Sequence, residues 1–343
     1  MDPTRNPIFV VGTGRSGTTL LRFMLSAHPR IYITHEASFY VYEALVGRRG
    51  TRRDFLDYYV QTQNFRWLNV DPEVVVGAAP DGGAPFTALM RAKAESYGRV
   101  RWGDKTPSHA ACLTRIFRDV PEARVIHIVR DPRGVALSLS RMPWAPGSLY
   151  ANAAFVERER RQVEPFKDRV LQVRLEDLLG DARTTMGRIL EYVGEPWDDA
   201  VLDHPRNIPD KHDMPPYPWL EGAARERAPQ GVPWASLSPV EVRMIEGLAR
   251  RSMAEHGYEP APLDQEPSRL RVWWEGVRQL PLRLHALGCY LRLARLSFDP
   301  RNFDSGKMLA VWHRLNPPAW SRYPGFEIPN PPPHKLLPEK IAA

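Results

Sequence analysis

The stretch Ile8-Phe9-Val10-Val11-Gly12-Thr13-Gly14-Arg15-Ser16-Gly17-Thr18-Thr19-Leu20-Leu21-Arg22-Phe23-Met24-Leu25 decides the fold. Its first four residues form a short apolar run that fits a buried parallel strand. Gly12, Gly14 and Gly17 come next, and glycine reaches backbone conformations closed to bulky residues and lets the backbone approach a ligand. Leu20, Leu21, Phe23, Met24 and Leu25 then supply the apolar side of a helix expected to start near Thr18. Strand, glycine turn and helix start together aim unpaired amide N–H groups and the positive end of a helix at one point, which suits a phosphate.

A nucleotide-triphosphatase loop reads GxxxxGK[ST], and Gly12 through Gly17 has that spacing. Thr18 occupies the lysine position, so the cation that would reach β- and γ-phosphates is missing. Arg15 stands inside the loop instead, and Thr19 keeps a hydroxyl where a triphosphatase holds magnesium. The residues read as a phosphate cradle carrying an arginine, without strong support for triphosphate hydrolysis.

The 343 residues, 43% hydrophobic, suffice for one sizeable α/β domain with an added terminal region. We divide the chain into residues 1–262 and a helical, proline-rich extension at 263–343. Cys112 and Cys289 have no metal-site spacing and do not suggest a disulfide scaffold. Nothing before Ile8 resembles a targeting peptide and no apolar run approaches a membrane span, so the expected location is cytoplasmic. A formal charge of +7 favours an anionic ligand or surface. The basic residues do not gather with stacking aromatics in one groove-like stretch, which argues against nucleic acid.

Along the chain, His28-Pro29 sets a turn before the apolar-leaning run Ile31–Thr34 and the pair His35-Glu36. Phe39–Tyr59 reads as mostly helical, Val70–Pro85 as a surface loop, and Pro85–Tyr97 as a helix. Arg101–Pro107 reads as a strand end or loop carrying a charged pair, followed by a helix through Cys112–Phe117. Arg124–Val129 is the second clear strand and runs into Arg130-Asp131-Pro132-Arg133-Gly134 and a helix over Val135–Arg141. Met142–Ser148 is a break suited to a lid. A helix over Ala151–Phe166, a strand at Val170–Arg174 and a helix at Ala182–Val193 follow. His204–Gly231, with six prolines, is expected to be a long loop over the crevice, and Trp234–Tyr258 one amphipathic helix.

Gly14-Arg15-Ser16-Gly17-Thr18-Thr19, His28-Pro29, His35-Glu36 and Val129-Arg130-Asp131-Pro132-Arg133 with Ser138 together resemble the sulfotransferase family. The R-S-G-T-T variant followed by H-P and an acidic residue is most similar to bacterial members and to the protein-tyrosine and carbohydrate branches. The resemblance covers Ile8 to Tyr258. It implies a P-loop-like three-layer α/β fold with a central parallel sheet and 3′-phosphoadenosine 5′-phosphosulfate as donor, with no metal required. It also implies a 5′-phosphosulfate loop at Arg15–Thr19 with Gly14, 3′-phosphate contacts from Arg130 and Ser138, and Glu36 as base. Two departures stand out. Leu175 replaces a tyrosine common in relatives, and Gly231-Val232-Pro233-Trp234 lacks the basic residue often found before the closing segment.

Sulfuryl transfer needs an in-line acceptor oxygen, neutralised equatorial oxygens and a stabilised leaving phosphate. Arg15 and the amides of Ser16–Thr19 suit the leaving 5′-phosphate. The acceptor loses a proton as it attacks, and Glu36 is the chosen base against a solvated carboxylate or a helix-cap role, with His35 as runner-up. Lys105 either bridges the sulfonate and leaving oxygen or pairs with Asp104 or another acid. Arg133 either binds phosphate or serves its own loop. The alternative function is a nucleotide-dependent kinase or other phosphotransferase. The acceptor is a hydroxyl of a small molecule, carbohydrate, peptide or lipid, and the resemblance does not choose among them. Trp67, Trp102, Trp144 and Trp219 either line a cleft for it or cap small apolar patches.

Beyond Asp264 the resemblance gives no guidance. Ser268–Leu296 holds six arginines and one acid, Glu275, and Pro281 divides Leu270–Leu296 into two helical pieces. Leu284, Leu287 and Leu291 form a stripe expected to pack on the core or on a second copy in a homo-oligomer. Peripheral contact with an anionic membrane is the competing use.

Overall fold

The computed structural model describes residues 6–47, 50–77, 85–210, 217–221, 234–296, 311, 314–320 and 322. Five strands, β1 (Ile8–Val11), β2 (Ile31–Thr34), β3 (Arg101–Lys105), β4 (Arg124–Val129) and β5 (Val170–Arg174), form one sheet in the order β2-β3-β1-β4-β5. Every adjacent pair is parallel, with Ile8 aligned to Gly103 on one side and Arg124 on the other. The three-layer α/β reading is borne out.

Alternation along the strands builds two cores, one on each face. Phe9, Val11, Tyr32, Trp102 and Val125 point to one face, under helices Phe39–Val46, Arg52–Tyr59, Gln63–Leu68 and Pro85–Glu95. Ile8, Val10, Ile31, Ile33, Ile126 and Ile128 point to the other, under helices Thr18–Ala27 and Ala182–Val193. The first face is built largely of rings: Phe9 stacks on Phe86 at 5.8 Å between centroids and meets Trp102 edge-on at 6.5 Å. Trp102 is therefore part of the core.

The charged string Arg101–Lys105 is a complete inner strand, where a strand end or loop was expected. It lacks an apolar run because its polar groups are met individually inside the protein. The buried Arg101 guanidinium donates to Glu195 Oε1 at 2.9 Å and to the carbonyls of Asn6 and Val193. Gly103 fits where no side chain does: a Cβ there would stand 2.3 Å from Ile8 O and 2.4 Å from Ile33 Cδ1. At the β2 edge of the sheet, the buried Arg22 pairs with Asp210, which also accepts from Tyr32 Oη at 2.8 Å.

Other expectations need correction. Within Val70–Pro85 a short helix, Pro72–Val76, is capped by Asp71 and buries Val75 and Val76. The closing segment is two helices. Ser238 and Glu241 form a capping box that starts Pro239–Leu248 at Pro239, and Ala249 leaves helical geometry before Arg250–Glu255. The Met142–Ser148 break is packed, with Met142, Ala145 and Ser148 buried. Much of the loop expected at His204–Gly231, the Gly231–Pro233 departure, the Trp219 side chain and most of the proline-rich tail lie outside the described residues.

The C-terminal pieces are helices Arg269–Arg278 and Leu280–Leu296. They do not pack through the expected stripe. Val272 joins the cluster around Leu149 and Met244, and Gln279 Oε1 accepts from Ser148 Oγ and Tyr150 N, both at 2.9 Å. Ala286 and Cys289 pack with Val311 and Leu315, while Leu284, Leu287 and Leu291 face outward.

Candidate active site

In a parallel α/β sheet ligands bind outside the carboxyl ends of the strands, near the point where strand order reverses. Here β1 runs into Gly12–Gly17, β2 into Glu36, β3 ends at Lys105, and β4 runs into Arg130. The candidate residues from four separate parts of the chain thus share one edge of the sheet.

The turn after β1 depends on unusual backbone. Gly12 has φ +150° and Gly17 φ +100°, and Arg15 itself sits at φ +73°. A Cβ on Gly12 would stand 2.4 Å from Ile128 O, and one on Gly17 2.6 Å from Leu175 Cδ1. Ser16 Oγ lies 2.6 Å from Thr13 O and 3.0 Å from Ile128 O, which ties the loop to β4. Its hydroxyl therefore serves the loop, and its backbone amide does too, donating to Thr13 O at 3.0 Å. The helix Thr18–Ala27 begins with no side-chain cap and no acid in its first turn. A helix start left in this state next to an arginine fits a phosphate group.

Arg15, Arg130 and Ser138 come together around this loop. Arg15 Nε donates to Ser138 Oγ at 3.2 Å, and Arg130 Nη1 donates to Arg15 O at 3.1 Å. Arg133, three residues on, is held elsewhere. Its guanidinium donates to Asp131 and, at 2.6 Å, to Glu246 Oε1, and lies 4.1 Å over the Trp234 ring. Of the alternatives for Arg133, its contacts are those of a structural ion pair. Trp144 covers Gly14, whose Cβ would stand 3.1 Å from the indole.

Glu36 and Lys105 form the second group. Lys105 Nζ stands 2.7 Å from Glu36 Oε1, with the lysine side chain 3% exposed and the glutamate 45%. The partner of Lys105 is thus Glu36, not Asp104. Asp104 is fully buried and ties three neighbours together: its Oδ1 accepts from the Ala37 amide at 3.1 Å, Thr34 Oγ1 at 3.2 Å and Thr106 Oγ1 at 3.3 Å. Its Oδ2 is 2.9 Å from His109 Nδ1, although not in hydrogen-bonding orientation.

The turn after Glu36 is pinned from three sides. Besides Asp104 on Ala37, the Ser38 amide donates to Thr106 Oγ1 at 3.1 Å and Asn64 Nδ2 donates to Glu36 O at 2.8 Å. Tyr42 Oη in turn donates to Asn64 Oδ1 at 2.7 Å. Burial, and after it the charge of the Glu36 carboxylate, pushes the Tyr217 phenol upward. Asn64, Tyr42 and Tyr217 were not singled out from the sequence. Asn64 lies on a short helix and Tyr217 in a prolyl segment, and neither carries a periodic or motif signal.

His35 is held neutral: burial, followed by the cations Arg22, Lys105 and Lys93, lowers its pKa well below the usual value. His28 is structural, accepting from Arg30 N at Nδ1 and meeting Pro196 O at Nε2. His109 and His204 are buried. Behind the loop a water-sized chamber of about 10 Å³ is lined by Thr13, Ser16, His127, Arg130, Glu159 and His256.

The Sulfotransferase family model matches residues 7–199. A protein-tyrosine sulfotransferase of Drosophila melanogaster is 27% identical over 218 residues, 61% of this chain and 42% of that protein. Protein-tyrosine sulfotransferase 1 of Danio rerio is 28% identical over 210 residues, 57% of this chain and 55% of that protein. The chain thus spans about half or less of the length of these relatives. Among solved structures, the sulfotransferase domain of the Synechococcus PCC 7002 olefin synthase aligns over 80% of this chain and 95% of that one, at 20% identity and a TM-score of 0.44. The match over residues 7–199 covers more than half of the chain and includes the Gly12–Gly17 loop, Glu36, Lys105, Arg130 and Ser138: the chain belongs to the sulfotransferase family.

Proposed function

We propose that the protein transfers a sulfuryl group from 3′-phosphoadenosine 5′-phosphosulfate to a hydroxyl acceptor, with Glu36 as general base. The observation that carries this reading is the Glu36–Lys105 pair at 2.7 Å, at the same sheet edge as the Arg15 loop. When bound, the donor supplies a sulfuryl group activated by its phosphate leaving group. Gly14 and the loop Arg15–Thr19 hold the 5′ side, where Arg15 adds positive charge, the amides at the helix start add N–H donors, and Thr18 and Thr19 add hydroxyl donors. Arg130 and Ser138 hold the 3′-phosphate. Glu36 takes the proton of the attacking hydroxyl at a carboxylate oxygen, and Lys105 places its ammonium where negative charge develops. The three hydrogen bonds pinning residues 36–38 keep that carboxylate in place before substrate arrives.

The phosphotransferase alternative finds no support in the site, since Thr18 stands where a triphosphate-binding lysine is needed. The matched relatives are named for tyrosine, so a tyrosyl phenol is the first acceptor to try, ahead of sugar, lipid and small-molecule hydroxyls. The test is donor-dependent sulfate transfer to such panels read by mass spectrometry, with calorimetric titration of 3′-phosphoadenosine 5′-phosphate and ATP. Binding of the bisphosphate and a gain of one sulfate on an acceptor are expected. Preference for ATP with magnesium contradicts the donor assignment.

A further inference from the structure

We propose that the helices Arg269–Arg278 and Leu280–Leu296 form a platform that docks the protein on an anionic lipid bilayer. Each helix has two apolar faces and uses only one of them. Along Leu280–Leu296, Ala286, Cys289, Leu293 and Leu296 recur at helical spacing and pack with Val311 and Leu315. Positions two residues away lie about 200° around a helix, so Leu284, Leu287 and Leu291 occupy the opposite side. They are 60%, 55% and 62% exposed, and Leu280 in line with them is 41% exposed.

The preceding helix repeats the arrangement. Val272 and Gly276 face the core, with a Gly276 Cβ 3.4 Å from Tyr150, and Gln279 just beyond the helix is hydrogen-bonded there. Leu270, Trp273 and Trp274 face away, at 64%, 58% and 56% exposure. Trp274 and Val277 also line an open groove of about 600 Å³ beside the start of helix Pro239–Leu248. Exposed apolar ridges of this kind mark an interaction site.

Charge selects the partner. Arg269, Arg271, Arg292 and Arg295 are exposed beside the two ridges. The single acid of the segment, Glu275, is turned to Arg278 and Gln279. A second copy meeting this face about a two-fold axis would bring arginines against arginines, which is repulsive. An anionic bilayer accepts both features, taking the Leu and Trp side chains among the acyl chains and the guanidinium groups among the phosphates. Among the described residues no helix is long and apolar enough to cross a membrane, so the contact is peripheral.

The test is vesicle flotation of the full chain with phosphatidylcholine alone and with phosphatidylcholine mixed with phosphatidylglycerol. Recovery is expected on the anionic vesicles and not on the neutral ones. Leu284→Ser/Leu287→Ser/Leu291→Ser should reduce recovery at least about tenfold, and each of Arg269, Arg271, Arg292 and Arg295 changed to Gln should reduce it about fivefold. All seven positions are exposed, so thermal midpoints should match the parent, and a variant that fails this check is replaced by the single substitutions. Trp emission should shift to the blue on anionic vesicles, and less so in Trp273→Ser/Trp274→Ser. Absence of recovery, equal recovery on both vesicle types, or recovery unchanged by the leucine substitutions overturns the proposal. So does lipid-free self-association in sedimentation equilibrium that the leucine substitutions abolish.

Discussion

The ammonium of Lys105 and the carboxylate of Glu36 stand 2.7 Å apart across the ends of two neighbouring strands, in unequal surroundings. The lysine is inside the protein and the glutamate reaches out of it, so the pair presents its carboxylate to whatever enters the cleft. Lys105→Met keeps the buried stem and removes the charge. Turnover should fall about 10²–10³-fold, the usual cost of one electrostatic stabiliser, with little change in affinity for the bisphosphate product. Steady-state kinetics with calorimetric titration reads both.

Arg130 leaves β4 toward the loop and already meets the Arg15 carbonyl. Arg130→Ala should cost about 2–5 kcal/mol in binding 3′-phosphoadenosine 5′-phosphate, as for the loss of one partner of a buried charge-assisted contact. Adenosine 5′-phosphosulfate, which lacks the 3′-phosphate, should lose far less. Equal losses on the two ligands would assign Arg130 to the loop alone.

Gly103→Ala tests the inner strand. Its Cβ would collide with the Ile8 carbonyl and with Ile33, and neither the backbone of β1 nor a fully buried isoleucine can yield easily. Overpacking costs about 1–3 kcal/mol, and a backbone collision belongs at the upper end of that range. Urea unfolding should show a lower midpoint with an unchanged slope.

Burial, the neighbouring His127 and the cations Arg160 and Arg174 lower the His256 pKa to about 4 against the pull of Glu255. The folded protein then keeps this ring neutral while the unfolded chain takes up a proton from about pH 6.5 downward. Stability should fall as the pH drops from about 6.5 to about 4, by at most about 3 kcal/mol from this group, and level off below. His35 acts in the same direction. His256→Asn should therefore flatten the pH dependence of the unfolding free energy in that window without abolishing it.

Where the chain states its structure in apolar pattern, it could be read. Ile8–Val11, Arg124–Val129 and Ala182–Val193 have the bounds their hydrophobic spacing implies. Arg101–Lys105 was illegible as a strand because its stability comes from Glu195, Asn6 and Val193, remote in sequence or set by the fold. The same applies around Glu36. The residue itself follows a readable strand and turn, but its clamps, Asn64, Thr106 and Asp104, come from two distant elements. The Leu284 stripe was readable as amphipathic and misleading as to direction, since the helix carries a second apolar face that the smaller Ala286 and Cys289 disguise.

Glu36→Gln tests base catalysis most directly. The amide keeps the size of the side chain and can still contact Lys105, but it cannot take a proton. With one verified acceptor held constant, turnover should fall about 10²–10⁴-fold while affinity for 3′-phosphoadenosine 5′-phosphate is preserved. Near-normal turnover with that acceptor would contradict the assignment of Glu36 as the base.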